Sequence, residues 1–256
     1  MIIALATAGG LLLTGTANAY PIKDASLTKN ALYDSGKLAT TKCVTPQLKN
    51  TSLPVARKYV MAVTNCLNAS WGAHLTASDL PFGTPKLRFV SRIPKGYCDF
   101  SDVDTTANSQ GYYCPQSRTI IMQIGTDWLE DADDLWLIHA TGLLYGYHVQ
   151  NLTGIEKAFQ AAPYANKTEL NEQYRRSSLQ SDCLGGVFLR SVWSSLGAST
   201  AKWNGLAGLL KTSGDAKGEA RVGGKGSSRA AWAKSGYTSG NPASCNTWAA
   251  PSAKVA

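Results

Sequence analysis

Histidine is scarce in this 256-residue chain, which contains only His74, His139 and His148. A helical metal site of the His-x-x-x-His kind needs two imidazoles one turn apart, so that both reach one ion from one face. His139 and His148 are nine residues apart, which at about 100° per residue puts them on opposite sides of a straight helix. The sequence also lacks C-x-x-C and any cluster of Cys and His. We therefore expect no metal site of these ordinary kinds.

The N-terminus lacks a positive charge and a long apolar run. Residues Ile2 to Leu13 are almost wholly apolar, but a helix that spans a bilayer needs about 20 such residues. The small-x-small triplet Ala17 to Ala19 then offers a cleavage site before Tyr20. We expect residues 1–19 to be an export signal and the chain to be secreted or extracytoplasmic. Because no Lys or Arg precedes the apolar run, an uncleaved membrane anchor stays open as an alternative.

Motifs for other common functions are missing as well. There is no G-x-S-x-G nucleophile elbow, and the glycine-rich segment 222–226 lacks the Lys-Ser/Thr ending of a phosphate loop. We expect no nucleotide cofactor. The net charge is +8, and the stretch from Thr200 onward contributes +6 of it. No nucleic-acid-binding motif accompanies this charge, so we expect no nucleic-acid partner. A solvated surface is the simpler interpretation, and contact with an anionic cell-envelope polymer is the alternative.

An even number of cysteines in an exported chain indicates disulfides, because the compartment is oxidising. The six are Cys43, Cys66, Cys98, Cys114, Cys183 and Cys245. Six cysteines allow 15 pairings, and the sequence alone does not choose among them. Neighbour pairing is the working hypothesis: Cys43 with Cys66, Cys98 with Cys114, and Cys183 with Cys245.

Hydrophobic spacing predicts a mainly helical domain with a few strands. Helices are expected over residues 53–75, from about 131 to 149, from about 169 to 193 and from about 202 to 210. Alternating or β-branched residues predict strands at Lys86–Ile93 and Thr119–Ile124, and turn-forming residues predict loops over 94–111 and 211–226. Acidic residues 130, 131, 133 and 134 suit the first turn of the helix expected from about 131 to 149, near its positive dipole end. Calcium binding is the less common use of such a cluster.

Three sequence blocks look like the motifs of one known family. Residues 143–150 read L-L-Y-G-Y-H-V-Q, close to H-E-[FY]-G-H-H-V-Q. Residues 175–187 read R-R-S-S-L-Q-S-D-C-L-G-G-V, close to R-R-x-E-L-Q-A-D-C-x-A-G-V, and residues 232–248 are similar to the same family's Trp-to-Trp/Phe end. Shorter matches lie around Cys66 and Cys114. Together they cover roughly residues 43–248 in consistent order, so the chain specifically resembles the neutral zinc metallopeptidase family.

The resemblance implies four positions for the chemistry, and all four have changed. The two helical zinc ligands correspond to Leu143 and Tyr147, the general base to Leu144, and the third ligand to Ser178. Leucine offers no lone pair, and ligands supply on the order of 10 kcal/mol of a structural zinc site's binding free energy. Without zinc, water keeps a pKa near 15.7 instead of about 7, and loss of the base removes about 10²–10⁴-fold more.

The sequence therefore predicts a family member without zinc or other cofactor and without catalysis, a pseudopeptidase. An active zinc peptidase with unconventional ligands is the alternative. The leucines would suit an apolar filling or an apolar ligand side chain, so a peptide joins the envelope polymer as an expected partner. His148 and Asp182 match framework positions and are candidate remnants of the cleft, and Asp182 is expected to keep a structural hydrogen bond.

The resemblance also implies the fold and the domain boundaries. The expected fold is α+β and zincin-like, mainly helical, with a small β-sheet packed beside a long central helix, the former active-site helix at about 131–150. The expected organisation is a signal at 1–19, an irregular lead-in at 20–42, the metallopeptidase-like domain at 43–248 and a tail at 249–256.

Overall fold

Helices dominate the computed structural model, which describes residues 22–48, 52–100, 103–130, 134–218 and 220–256. The helices are α1 (Ala25–Thr28), α2 (Leu53–Ala77), α3 (Thr126–Glu130), α4 (Asp134–Leu152), α5 (Ile155–Ala161), α6 (Lys167–Leu196), α7 (Thr200–Thr212) and α8 (Gly226–Ser239). The strands are β1 (Lys86–Val90), β2 (Gln110–Cys114) and β3 (Thr119–Gln123). The mainly helical α+β class predicted from the sequence is confirmed.

The three strands form one small mixed sheet in the order β1-β3-β2. Strand β3 lies in the centre, parallel to β1 and antiparallel to β2, and all five of its residues are buried. Strand β2 was not expected, because its first two residues, Gln110 and Gly111, fall in the predicted loop 94–111. A glycine and flanking polar residues weaken the strand pattern there, and pairing with the apolar β3 supplies the stabilisation that the local sequence lacks.

Helices α4 and α6 cross at very close range because small residues face each other. A Cβ on Gly142 would lie 3.3 Å from Gly185 Cα, and one on Gly146 would lie 2.9 Å from Ser181 Cα. The contacting residue numbers rise along α4 as they fall along α6, so the two helices run antiparallel. Gln150 reinforces the contact by donating from Nε2 to the Ser181 hydroxyl (2.6 Å).

The opposite side of α6 packs equally closely on α8. A Cβ on Gly186 would lie 2.2 Å from the Ala233 carbonyl oxygen, and one on Gly236 would lie 2.0 Å from the Cys183 carbonyl oxygen. Glycine permits these approaches because it has no side chain. Helix α6 is therefore the central element of the helical body, with α4 on one side and α8 on the other.

Three disulfides tie the peripheral segments to this body. They join Cys43 to Cys66, Cys98 to Cys114, and Cys183 to Cys245, which is the neighbour pairing hypothesised from the sequence. They secure, in that order, the lead-in to α2, the loop before β2 to the sheet, and α6 to the C-terminal segment. They indicate an oxidising, extracytoplasmic location.

The lead-in is irregular apart from two helical turns, and it is anchored in the core. Leu27 and Leu32 are fully buried, and the Tyr33 hydroxyl donates to the Leu27 carbonyl (3.0 Å) while it accepts from Gln180 Nε2 (2.8 Å).

The expected signal at residues 1–19 lies outside the described residues, as do Asp131 and Asp133 of the acidic cluster. Among the helices that the structure describes, none combines the length and apolar character needed to cross a bilayer.

We expect Gly186→Ala to lower the free energy of unfolding by about 1–3 kcal/mol, the usual range for overpacking. The added Cβ meets backbone atoms of α8, which no side-chain rotation can move away. Gly208→Ala is the matched control. Gly208 is exposed within α7 and has open space around it, so alanine there stabilises by about 0.5–1 kcal/mol through helix propensity. Urea unfolding measures both, and equal effects of the two substitutions would contradict the close α6–α8 contact.

Candidate functional site

The positions that correspond to zinc ligands meet where α4 lies against α6. Leu143 and Tyr147 occupy one face of α4, one turn apart, and both are half-buried. Ser178 lies on α6 opposite Tyr147 and is also half-buried, and its hydroxyl is close enough to the Tyr147 phenol to act on the pKa of that phenol. We call the surface formed by Leu143, Tyr147 and Ser178 the α4–α6 site. The fold thus brings together three of the four positions singled out from the sequence.

Leu144, at the position of the general base, is buried and faces the sheet. Its Cδ1 atom lies 2.7 Å from the place that a Cβ on Gly111 would occupy, so the leucine packs directly against the backbone of β2. Apolar contact with the sheet has therefore taken the place of a side chain that could move a proton.

The α4–α6 site does not fit zinc. Leu143 has no donor atom, and a neutral serine hydroxyl is a poor zinc ligand. Burial, together with the charge of Asp182, raises the pKa of Tyr147 to about 12, so the phenol keeps its proton at neutral pH and offers no phenolate. In the described part of the chain, no group of three or more His, Cys, Asp or Glu side chains is arranged to hold a metal ion.

A buried ion pair lies next to the α4–α6 site. The carboxylate of Asp182 is fully buried on α6, and Arg229 of α8 binds it through Nε (2.9 Å) and Nη2 (3.1 Å). Burial alone would raise the pKa of Asp182, but the charge of Arg229 and hydrogen bonds from Arg229 and His139 hold it below its ordinary value. The negative charge of Asp182 in turn raises the pKa of Arg229.

His139 completes this arrangement from α4. Its Nε2 lies 3.1 Å from Asp182 Oδ1, and since a carboxylate accepts, Nε2 carries the proton. Its other nitrogen, Nδ1, is buried and has no hydrogen-bond partner among the residues that the structure describes. One carboxylate thus links α4, α6 and α8, and it has the structural hydrogen bonding expected from the sequence.

His148 lies in a separate polar network between α4 and the sheet. It is fully buried, with Nε2 donating to the Gly83 carbonyl (2.6 Å) and Nδ1 accepting from the Tyr113 hydroxyl (2.9 Å). Asn151 Nδ2 in turn donates to that hydroxyl (2.8 Å). Both ring nitrogens are occupied, so neither is available to the α4–α6 site. The two candidate remnants, His148 and Asp182, therefore belong to different networks.

Sequence reasoning missed the role of Arg229 because it was counted with the basic C-terminal stretch. Asp182 binds it, so its charge is largely neutralised inside the protein. Asp215 is likewise engaged, since its carboxylate accepts from the backbone N–H groups of Gly223 (2.8 Å) and Gly224 (2.7 Å). The available sequence signal was that Arg229 lies shortly before the block that begins at Trp232. That position does not reveal that the partner of Arg229 lies on α6.

The His148 network predicts loss of stability in mild acid. Burial lowers the pKa of His148 to about 4, whereas an unfolded histidine has a pKa of about 6.5. Between these values the unfolded chain binds more protons, so stability is complete above about pH 6.5 and falls as the pH drops toward 4, by about 3 kcal/mol at most.

His148→Gln should remove this part of the pH dependence, as measured by urea unfolding at pH 7.5 and 4.5. Burial also lowers the pKa of His74, so the informative quantity is the difference between the slopes of variant and native protein. An identical slope in both would show that His148 is not the group responsible.

Breaking the buried pair should be costly. Asp182→Asn leaves the Arg229 charge without its partner, and we expect a loss of about 3–5 kcal/mol of unfolding free energy. Asp79→Asn is the control, because Asp79 is exposed and its positive φ suits asparagine. Equal stability of the two variants would mean that the pair does not hold the helices together.

Comparisons with known proteins agree with the sequence blocks. The family model described as "Putative neutral zinc metallopeptidase" matches residues 4–248. Two curated relatives, each named uncharacterized protein YpfJ, from Escherichia coli K12 and Escherichia coli O6:H1, are 25% identical over 209 residues, covering 75% of this chain and 71% of each relative. No solved structure matches significantly. Because the family model spans nearly the whole chain, this protein belongs to the neutral zinc metallopeptidase family.

Proposed function

We propose that this protein is an exported pseudopeptidase, which retains a zincin-like scaffold, holds no catalytic zinc and uses the α4–α6 site for binding. The observation that carries the proposal is the set of side chains at the former ligand positions. Leu143 cannot donate to a metal, Tyr147 beside Ser178 keeps its proton at neutral pH, and Leu144 packs on β2.

The state of the surrounding framework supports the proposal. The residues around the site keep their packing and hydrogen bonds. Gly146 makes the close contact with α6, Gln150 donates a hydrogen bond to Ser181 of α6, and Asp182 binds Arg229. Loss of function by general decay would affect such buried contacts too. The changes instead fall on positions whose task would be to hold metal and move protons.

The nature of the exposed surface supports binding as the remaining role. Leu143 and Tyr147 present an apolar and an aromatic side chain that are partly buried, beside the hydroxyl of Ser178. Surfaces with aromatic anchors and a few polar groups are typical of recognition sites. A peptide side chain of matching character is the proposed occupant.

Metal analysis of the purified protein, expressed with zinc in the medium, tests the proposal. We expect well under one zinc per chain and no chelator-sensitive cleavage of casein. One tightly bound zinc, or cleavage that a chelator abolishes, would overturn the assignment and favour an active enzyme with unconventional ligands.

Restoring the ligands tests the zincin-like scaffold. The variant Leu143→His/Leu144→Glu/Tyr147→His/Ser178→Glu should take up one zinc per chain, since three ligands then converge on the α4–α6 site. The matched control keeps Leu144 and changes the other three positions. It should bind zinc but cleave casein about 10²–10⁴-fold more slowly, because it lacks the general base. Absence of zinc from both variants would contradict the scaffold.

A second role follows from the exposed lysines at the end of α7, in the following loop and on α8. Lys211, Lys217, Lys225 and Lys234 are all exposed, and this charge suits an anionic envelope polymer. Pull-down with lipopolysaccharide or teichoic acid should weaken as salt is raised. Binding that is absent or insensitive to salt would remove this role.

A further inference from the structure

A carboxylate without a cationic partner lies beside the α4–α6 site. Glu156 is in the first turn of α5 and is half-buried. Its one hydrogen-bond partner in the described part of the chain is the amide of Gln160, which donates to Oε1 at 2.7 Å. The carboxylate therefore does not cap its own helix, and no lysine or arginine of the described residues pairs with it.

The packing of its helix places Glu156 near this surface. Three residues along α5 from Glu156, the ring of Phe159 packs edge-on against Tyr174 of α6, with centroids 5.2 Å apart. Tyr174 lies one turn before Ser178 on α6, and Ser178 is close to Tyr147. The carboxylate is near enough to Tyr147 and to Tyr113 for its charge to raise the pKa of both phenols.

Two tyrosine rings are available beside this carboxylate. Tyr174 is 47% exposed although it is a large aromatic residue, and Tyr147 is half-buried. Aromatic faces attract organic cations, because the face of the ring carries partial negative charge. The half-buried carboxylate of Glu156 has lost part of its hydration, and burial raises its pKa. No cation of the described residues compensates for this loss. A bound cation would supply the missing charge interaction.

We propose that the α4–α6 site, extended by Tyr174 and Glu156, binds a lysine or arginine side chain of an extracytoplasmic peptide. The carboxylate of Glu156 pairs with the cationic group, and the rings of Tyr147 and Tyr174 contact it. This inference rests on the proposed function, because a zinc ion at Tyr147 and Ser178 would occupy the same surface.

The test uses two end-blocked tripeptides, Gly-Lys-Gly and Gly-norleucine-Gly, which differ in one charged group. Their dissociation constants are measured by NMR titration of the ¹⁵N-labelled protein at low salt. We expect the lysine peptide to bind about tenfold more tightly than the norleucine peptide, the usual effect of one charge-assisted contact. Glu156→Gln should abolish this preference, and Tyr174→Leu should weaken lysine binding about two- to fivefold.

Asp79→Asn is the control variant, because it removes one exposed negative charge far along the chain from the site and should keep the preference intact. Glutamine at position 156 relieves a half-buried charge, so the variant should remain folded. Absence of binding, equal binding of the two peptides, or a preference that survives Glu156→Gln would overturn the inference. One tight zinc per chain, determined on the same sample, would overturn the proposed function instead, so the two failures are distinguishable.

Discussion

The buried carboxylate of Asp182 is the constraint on which the helical body depends. It lies on the central helix α6, accepts two hydrogen bonds from Arg229 on α8, and accepts another from His139 on α4. A fully buried charge is tolerated only when it is paired and hydrogen-bonded. The position of this carboxylate therefore fixes how three helices sit relative to one another, and glycine contacts on both sides of α6 bring them close enough to reach it.

Other residues of the sequence block that contains Asp182, at positions 175–187, also hold the helical body together. Arg176 binds Glu172 (2.7 Å) and the Ala250 carbonyl (2.8 Å), while Gln180 donates to the Cys245 carbonyl (3.0 Å) and accepts from the indole of Trp248 (3.1 Å). These contacts join two sequence blocks that are far apart along the chain. The block on α6 and the C-terminal block occur in the same protein because the first packs on the second. None of these interactions passes through Leu143, Tyr147 or Ser178.

The long elements were predictable because periodicity and capping agree in them. Helix α2 has Pro54 in its first turn, and α6 follows the N-cap Asn166, whose side chain accepts from the Glu169 N–H, and stops before Gly197. Strand β2 and helix α8 escaped prediction because each has a glycine at a close contact. Gly111 of β2 lies against the Leu144 side chain, and Gly236 of α8 lies against the α6 backbone. Glycine adds nothing to a hydrophobic period, so these contacts leave no pattern to detect. The resemblance was enough to locate Leu143, Leu144, Tyr147 and Ser178. The roles of Arg229 and Glu156 depend on residues far away in sequence, so the sequence alone could not predict them.

The three disulfides differ in exposure, and this makes the protein's response to thiols stepwise. Cys183 and Cys245 are fully shielded within the helical body, while Cys98 lies half-exposed in the loop before β2. Thiol exchange requires access to a sulfur atom. A mild reductant encountered during purification would open the sheet-side crosslink first, so a sample could lose one bridge and keep its helical body. Counting free thiols is therefore a better check of sample integrity than helical content.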